Sequence, residues 1–472
     1  MERVKLKITR NNILLVLGFL LTAIIYYSTM LPSLGFHDVG ELQGVVPILQ
    51  IPHPTGFPAY ILSSYVLSFF LPSTDYAWKV NLLSLIYTIV SLVGIYSASY
   101  IITKQKFISF ISVVVVSFTE PIWNYAGMAD THSFGRMFLA LLVFLAFYLE
   151  KKFNMRVWVL FSFVVGFSLG GHLFIIYAIP WIFIWLVYFS FRKKHLSFNS
   201  IILGLLFFFL GFSVYFLLPL RSLIGGTYLD YSLATWSGFI RHVSGSDFAG
   251  LMFKAPISIL LVQIGDGFIK IYDWLGLSTV ILIILGMVYG IKKYLKYLIL
   301  VLFVVISLLT FASTYPTSDS SRYFGWILLL CAIFITFGLS YIQTLFPKKI
   351  GHVFVLLFAF LLVYRMINTN YIEVDKHDNF SAVNYANSAF SVVEQNGVIL
   401  SWWHYMTPLR YKQDVDLLRP DILIITKGPG EWKYEVEKYI STRSVYVVEM
   451  EESLKEKYNL VLVGSLYKVE KK

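Results

Sequence analysis

LGLSTVILIILGMVYGIKKYLKYLILVLFVVISLLTFAS, residues 275–313, decides the fold. Two apolar runs, 275–291 and 297–313, flank a joint carrying Lys292, Lys293 and Lys296. A helix rises 1.5 Å per residue, so about 20 residues cross a hydrocarbon core of about 30 Å. Two such runs around a basic joint predict a transmembrane hairpin with the joint on the cytoplasmic side. Working outward, comparable runs occur at 13–31, 77–102, 107–119, 133–149, 157–171, 173–190, 200–218, 325–345 and 350–367, which makes eleven spans. Only 14% of the 472 residues are charged, against about 25% in soluble domains. A water-soluble enzyme, a disordered chain and a nucleic-acid binder all fit this composition poorly. Cys331, the single cysteine, excludes a disulfide framework within the chain.

The charges give an orientation. Residues 1–372 hold 25 Lys and Arg against 12 Asp and Glu, while residues 373–472 hold 13 against 15. The basic excess thus belongs to the membrane part. With the N-terminus cytoplasmic, 17 basic residues fall inside, at Arg3, Lys5, Lys7 and Arg10 and in the loops at 104–106, 151–156, 192–194, 292–296 and 348–349. Outer loops 32–76 and 119–132 hold none, as the positive-inside rule requires. The first run reads as a span, being too long for a typical signal peptide and poor in small-residue cleavage sites. Residues 57–71 and 256–272 are read as re-entrant or interfacial helices, because counting 57–71 as a span would invert every later loop. Of the 12 acids in residues 1–372, Asp38, Glu41, Asp75, Glu120, Asp130, Asp230, Asp247, Asp266, Asp273 and Asp319 lie outside or at the outer boundary. The spans hold almost no ionisable groups, which disfavours a coupled transporter. Chemistry is expected at the outer face.

From residue 373 the pattern changes. NGVILSWW, PDILIIT, SVYVVE and YNLVLVGSLYKV read as short strands, with helical stretches at 379–394 and 431–440. The expected architecture is an α-helical polytopic membrane domain, 1–372, with outer loops 32–76, 119–132, 219–274 and 313–324. A small extracytoplasmic α/β domain, 373–472, follows it. WWHYM at 402–406 in that domain reads as a buried core edge or as an aromatic docking surface.

The outer loops supply the candidate chemistry. In GFHDVGELQG, Asp38 and Glu41 are three apart and share one helix face. A carboxylate there takes a proton from an incoming hydroxyl; alternatively the two acids only cap and charge a helix start. His53 sits in PHPTGFP, a turn fixed by Pro52, Pro54, Gly56 and Pro58. Asp130 and His132 lie in TEPIWNYAGMADTHSF, where Asp130 either joins the first-loop carboxylates or caps the next helix. His172 follows Gly170 and Gly171. Arg221, and Arg241 with His242 beside Trp236 and Phe239, suit a lipid phosphate or ordinary interface anchoring. Asp319 and Arg322 are three apart, a spacing that also fits a local ion pair.

These motifs, taken in order, resemble one family. HDVGELQG, PHPTGFP and VNLLSLIY at 80–87, then WNYAGMADTHSF, SLGGH, LPLR, TWSGFIRHVSG, RYF and RPDILIIT at 419–426, are similar to the family that contains the plexin-type transmembrane protein O-mannosyltransferase. The likeness spans nearly the whole chain. The second loop departs from it, with Asp130 and His132 standing where the family usually has glutamate followed by valine-tyrosine. The family is in turn similar to the GT-C class of membrane glycosyltransferases. The resemblance implies transfer of mannose or another hexose from a polyprenyl-phosphate donor to an acceptor hydroxyl on the non-cytoplasmic face, with inversion. It also implies a first-loop aspartate as the catalytic residue, which falls on Asp38.

The residues and the resemblance together assign Asp38 as base, with Glu41 and Asp130 orienting the acceptor or a cation. His53, His172, Arg221, Arg241, His242 and Arg322 are expected at the donor phosphate or lining the pocket. No cofactor beyond the lipid-linked donor and no metal ligand set is assigned, and metal dependence stays open. The expected partners are that donor, a protein, glycan or glycolipid acceptor and the bilayer. The expected location is the cell membrane, or the endoplasmic reticulum in a eukaryote. The alternatives are a lipid-linked sugar flippase or exporter, and a non-catalytic membrane partner that docks through the outer domain.

Overall fold

The computed structural model describes residues 10–225, 231–250, 255–315, 317 and 319–472. Arg3, Lys5, Lys7 and Asp230, used in the charge argument, lie outside the described residues. Among the described residues, seven helices are long and apolar enough to cross a membrane: Tyr76–Thr103, Thr131–Lys151, Phe198–Ile224, Ile257–Lys293, Leu295–Thr314, Ser321–Thr344 and Lys349–Val374. Lys106–Ser117 and Glu120–Ala126, bent by 78°, make an eighth if taken as one broken span. With the shorter apolar helices Asn12–Ser28, Met155–Leu169 and Ile179–Arg192, they match the apolar runs of the sequence one for one. This is an integral membrane protein.

Ser321–Thr344 is apolar around its whole circumference, and such a helix belongs inside a bundle. Its residues from Phe324 to Ser340 are buried without a break. Close approach to its neighbour depends on two glycines. A Cβ at Gly286 would stand 2.0 Å from the Phe334 carbonyl oxygen, and one at Gly338 would stand 2.2 Å from that of Leu282. With no hydrophobic drive between helices in lipid, such backbone contact is what holds them.

Both ambiguous segments are helices. Pro58–Ser68 has 11 residues and rises only about 16 Å, too short to cross a bilayer. It packs back on the bundle, where the Ala59 amide donates to the Gly170 carbonyl at 2.8 Å. Residues 257–275 are continuous with the following span in Ile257–Lys293, apart from a break at Gly276, whose φ of 71° and ψ of 165° are not helical. At the end of the bundle that carries the basic loops, Glu150 ties three of them together. It accepts from Lys193 at 2.8 Å, Lys296 at 2.6 Å and the Tyr297 hydroxyl at 2.7 Å.

The C-terminal part is a small α/β domain with its own core. Strands β1 (Val398–Ser401), β2 (Leu423–Thr426), β3 (Val445–Val447), β4 (Tyr458–Val463) and β5 (Leu466–Lys471) form one sheet in the order β2-β1-β3-β5-β4. β1 pairs in parallel with β2 and β3, Val398 lying opposite both Leu423 and Val445. A central parallel strand is covered on both faces, which is why VIL is a continuous apolar run. β4 and β5 form an antiparallel hairpin closed between Val463 and Leu466, with Gly464 at φ 56° in its two-residue turn. Helices Ser381–Val392 and Trp432–Tyr439 occupy the expected stretches. A third helix, Trp403–Asp414, goes beyond the sequence reading, because Pro408 interrupts its pattern. This helix packs on His37–Ile48 and brings the two parts of the chain together.

Candidate active site

The first outer loop is held by a polar hub. Gln43 accepts from the Gly35 amide at 2.9 Å and donates to Asn81 at 2.8 Å. Asn81 donates to the carbonyls of Leu31 and Ser33, both at 2.9 Å, and accepts from the Ala129 amide at 2.9 Å. Ser84, one turn on, accepts from the Asp130 amide at 3.0 Å. Asn81 and Ser84 of VNLLSLIY thus fasten both outer loops to the bundle, and each of these buried polar groups is satisfied. Three non-glycine residues in the first loop, His37, Leu49 and Phe57, have φ of 53°, 52° and 41°. Such left-handed backbone is uncommon and gathers where a site over-determines its chain.

On the helix His37–Ile48, Asp38 and Glu41 share a face, as their spacing predicts. Asp38 Oδ2 meets Arg322 Nη1 at 3.0 Å, and Asp38 Oδ1 accepts from Trp403 Nε1 at 3.2 Å. Glu41 is buried; its Oε1 accepts from the His53 amide at 2.7 Å and its Oε2 meets His53 Nδ1 at 2.5 Å. One ligand atom from each of Asp38, Glu41 and His53 lies within 4.8 Å of the other two. Among the described residues, these three are therefore the set that could hold a cation. Burial pushes the Asp38 carboxyl up, but His53, Arg322 and the Trp403 N–H outweigh it and hold it at about 2. Burial pushes His53 down, but Glu41 and Asp38 outweigh it and raise it to about 9. Asp38 is thus a carboxylate and His53 an imidazolium at neutral pH.

Beside this cluster is a cavity of about 740 Å³. Its lining combines polar groups, Asp38, His53, Thr131, His132, His172, Arg322 and Trp403, with apolar side chains that include Phe57, Phe174, Ile176, Tyr177, Phe248, Phe311 and Tyr315. Two of its histidines have fixed tautomers. Trp326 Nε1 donates to His132 Nδ1 at 3.2 Å, and the Phe174 amide donates to His172 Nδ1 at 3.1 Å. An indole or amide nitrogen only donates, so each Nδ1 is bare and each Nε2 carries the proton. The rings lie 4.0 Å apart. Burial first, then the charges of His53 and Arg322, hold His172 down at about 3.

Asp130, Arg221, Arg241 and His242 stand apart from the cavity lining. Asp130 caps the helix Thr131–Lys151, accepting from the Ser133 amide at 2.7 Å and hydroxyl at 2.9 Å, with Arg136 at 3.8 Å. Arg221 donates to the carbonyls of Leu49 and Ile48, at 2.7 and 3.1 Å, and so closes the end of the His37–Ile48 helix. Arg241 pairs with Asp247 at 2.8 Å and lies over Tyr231. His242 is buried, with Nδ1 3.0 Å from the Tyr231 hydroxyl, and burial lowers it to about 4. Arg322 pairs with Asp319 at 3.2 Å as its spacing suggests, and reaches Asp38 as well. Sequence reasoning misses Trp403, which comes from the helix that Pro408 hides, and the hub residues Gln43, Asn81 and Ser84.

Residues 38–197, which include the Asp38–Glu41–His53 cluster, match the family model described as the protein O-mannosyl-transferase TMEM260 N-terminal domain. The family resemblance read from the motifs holds. Across the longer chain, the similarity is 26% identity over 484 residues to protein O-mannosyl-transferase tmem260 of Dictyostelium discoideum, covering 89% of this chain and 58% of that protein. TMEM260 of Mus musculus is 26% identical over 238 residues, covering 48% of this chain and 33% of its own length. The chain thus spans a little over half the length of the first of these relatives and a third of the second. The fold is similar to that of ArnT from Cupriavidus metallidurans. The structure of ArnT bound to undecaprenyl phosphate matches with a TM-score of 0.60 at 9% identity, over 97% of both chains. The apo structure matches with a TM-score of 0.54 at 9% identity, over 98% of both chains.

Proposed function

We propose that the chain is a membrane glycosyltransferase that moves a hexose, mannose in the first instance, from a polyprenyl-phosphate donor to an acceptor hydroxyl, as the names of its relatives suggest. The observation that carries this reading is Asp38, a carboxylate that lines a cavity together with the cations Arg322 and His53 and with apolar side chains such as Phe174, Tyr177 and Phe311. A lipid-linked sugar combines the same two characters. Its chain suits Phe174, Tyr177 and Phe311, and its phosphate suits Arg322 and the His53 imidazolium. In the transmembrane domain, 1–372, these groups lie at the opposite ends of the helices from the lysine-rich loops. That supports a cytoplasmic N-terminus, and a site and C-terminal domain, 373–472, on the non-cytoplasmic face.

In the step we infer, the acceptor oxygen forms a bond to the anomeric carbon. The bond from that carbon to the phosphate oxygen breaks, and its electron pair leaves with the polyprenyl phosphate. The acceptor proton passes to Asp38. Attack opposite the leaving group inverts the anomeric centre. The phosphate, with a second pKa near 6, leaves as an anion and mainly needs positive charge nearby. Resting Asp38, held at about 2, is a weak base. A bound donor phosphate draws Arg322 and His53 toward itself, weakening their hold on Asp38 and raising its basicity toward the range a general base needs. His132 and His172, with neutral N–H donors, suit sugar hydroxyls better than phosphate. Asp130 and Arg221 support the site through the backbone they cap. Glu41 does so by holding His53, and Arg241 and His242 belong to the loop beside the cavity rim.

The test uses the protein in lipid nanodiscs with labelled polyprenyl-phosphate hexoses and an acceptor panel of peptides, glycans and glycolipids. Transfer of one sugar by the natural protein, lost in Asp38→Asn, is the expected result. Translocation of the intact donor across liposomes with no covalent transfer would overturn the reading and favour a flippase.

A further inference from the structure

The C-terminal domain contributes a side chain to the site, although it is remote in sequence and has its own core. Trp403, the first residue of the helix Trp403–Asp414, donates Nε1–H to Asp38 Oδ1 at 3.2 Å across 365 residues. Its ring stands edge-on to that of His53, 5.7 Å between centroids at 88°, and it lines the cavity. Asp38 therefore has one donor on each oxygen, Arg322 on Oδ2 and Trp403 on Oδ1.

The docking that places Trp403 is built on its own contacts. At Gly40, between Asp38 and Glu41 on the first-loop helix, a Cβ would lie 2.4 Å from the Gly35 carbonyl oxygen and 2.7 Å from Thr407 Oγ1. The backbone contact is within the first loop itself, and the Thr407 contact shows that the Trp403–Asp414 helix packs close against residue 40. Two turns on from Trp403, the Tyr411 hydroxyl accepts from the Ala77 amide at 3.1 Å and reaches Asp75 Oδ1 at 3.4 Å. The domain is thus seated on the loop that bears the carboxylate and on the helix that bears the hub.

From this arrangement we infer that Trp403 is a positioning residue for transfer: the C-terminal domain fixes the Asp38 carboxylate through the Trp403 indole, so the site is complete only when that domain is docked. The inference rests on the transferase reading for its kinetic consequence and on the Asp38–Trp403 bond alone for its structural one. When a phosphate draws Arg322 away, the indole keeps Asp38 Oδ1 in place and leaves Oδ2 to face the acceptor proton. Unlike Arg322, an indole carries no charge and is not drawn to the donor.

Trp403→Phe removes the N–H and keeps a ring, while Trp403→Ala removes both. Each is assayed in nanodiscs for transfer over about pH 4–9, with kcat and KM separated. Loss of the donor hydrogen bond destabilises the carboxylate, so the acid limb of kcat moves to higher pH in both variants. Misplacement of the base lowers kcat by about 10-fold or more, with donor KM little changed. A merely structural role would not move the pH limb. Unchanged kcat and acid limb in both variants would overturn the inference.

A thermal-unfolding cycle on the natural protein, Asp38→Asn, Trp403→Phe and the double variant needs no turnover. Shifts that fail to add support the bond, and additive shifts overturn it. If the natural protein transfers no sugar from any donor, the transferase reading fails by itself and this cycle still decides the role of Trp403.

Discussion

Arg322 and Asp38, 284 residues apart in sequence, meet at 3.0 Å and join the start of one transmembrane helix to the first outer loop. Arg322 is buried, whereas the Asp38 side chain is 31% exposed, at the cavity. Removing either partner has a distinct signature. Asp38→Asn should reduce transfer by about 10²–10⁴-fold, the scale of a lost general base, while the protein still folds, at a lowered melting temperature, and still binds the donor. Arg322→Gln should instead raise the donor KM as well as lower kcat, because it removes the charge expected to meet the phosphate. Equal KM in the natural protein and Arg322→Gln would place the phosphate elsewhere.

The Asp38 value also fixes the form of the pH profile. In the free protein its carboxyl titrates at about 2, so kcat/KM should show no acid limb from Asp38 between about pH 4 and 7. In the donor complex the phosphate competes for Arg322 and His53, so the kcat profile should bend at a higher pH than the kcat/KM profile. Coincident limbs in the two profiles would mean that the donor leaves Arg322 on Asp38.

His53 gives a linkage prediction that needs no substrate. Its folded value, about 9, lies above the ordinary 6.5. The stability it contributes is therefore fully present below about pH 6.5 and is lost as pH rises through about 9. Asp38 has the opposite sign: its stability is present above about 3.8 and lost as pH falls through about 2. Melting temperature measured from about pH 6 to 10 should fall for the natural protein and fall less for His53→Gln. Glu41→Gln should act in the same direction, because it removes the carboxylate that holds the imidazolium. An identical slope in all three would separate His53 from the alkaline transition.

The bundle is readable from sequence because its signals are local and repeated. Each apolar run carries its own length, and the lysine joints fix the alternation without knowledge of packing. Asp38, Glu41 and His53 are readable too, since a three-residue spacing and a proline-bounded turn place side chains over a short distance. Trp403 is not. It reaches Asp38 through a helix that Pro408 disguises and through the seating of one domain on another, and neither leaves a periodic trace. Arg221 and Arg241 stand out as outer cations beside apolar or aromatic stretches, but charge in a loop says nothing about its partner. Here the partners are carbonyls at a helix end and Asp247.

Asp130 and Gly40 separate structural support from chemistry. Asp130 is 1% exposed and holds the Ser133 amide and hydroxyl, with Arg136 close behind. Asp130→Ala should lose a helix cap, about 1 kcal/mol, and leave the buried Arg136 guanidinium without its carboxylate, about 3–5 kcal/mol more. The expected result is a large fall in melting temperature, with the surviving folded fraction keeping its KM. Gly40→Ala should behave differently. The added methyl meets Thr407 and the Gly35 carbonyl, and overpacking of this kind costs about 1–3 kcal/mol. That strain falls within the first loop, at Gly35, and on its contact with the C-terminal domain, at Thr407, and the domain's own core does not share it. The bundle and the sheet should each stay folded while protease sensitivity rises between them, and transfer should drop along with it. Gly40→Ala with full activity and unchanged proteolysis would mean that the two helices accommodate a methyl here. The close approach at residue 40 would then not be what seats the domain.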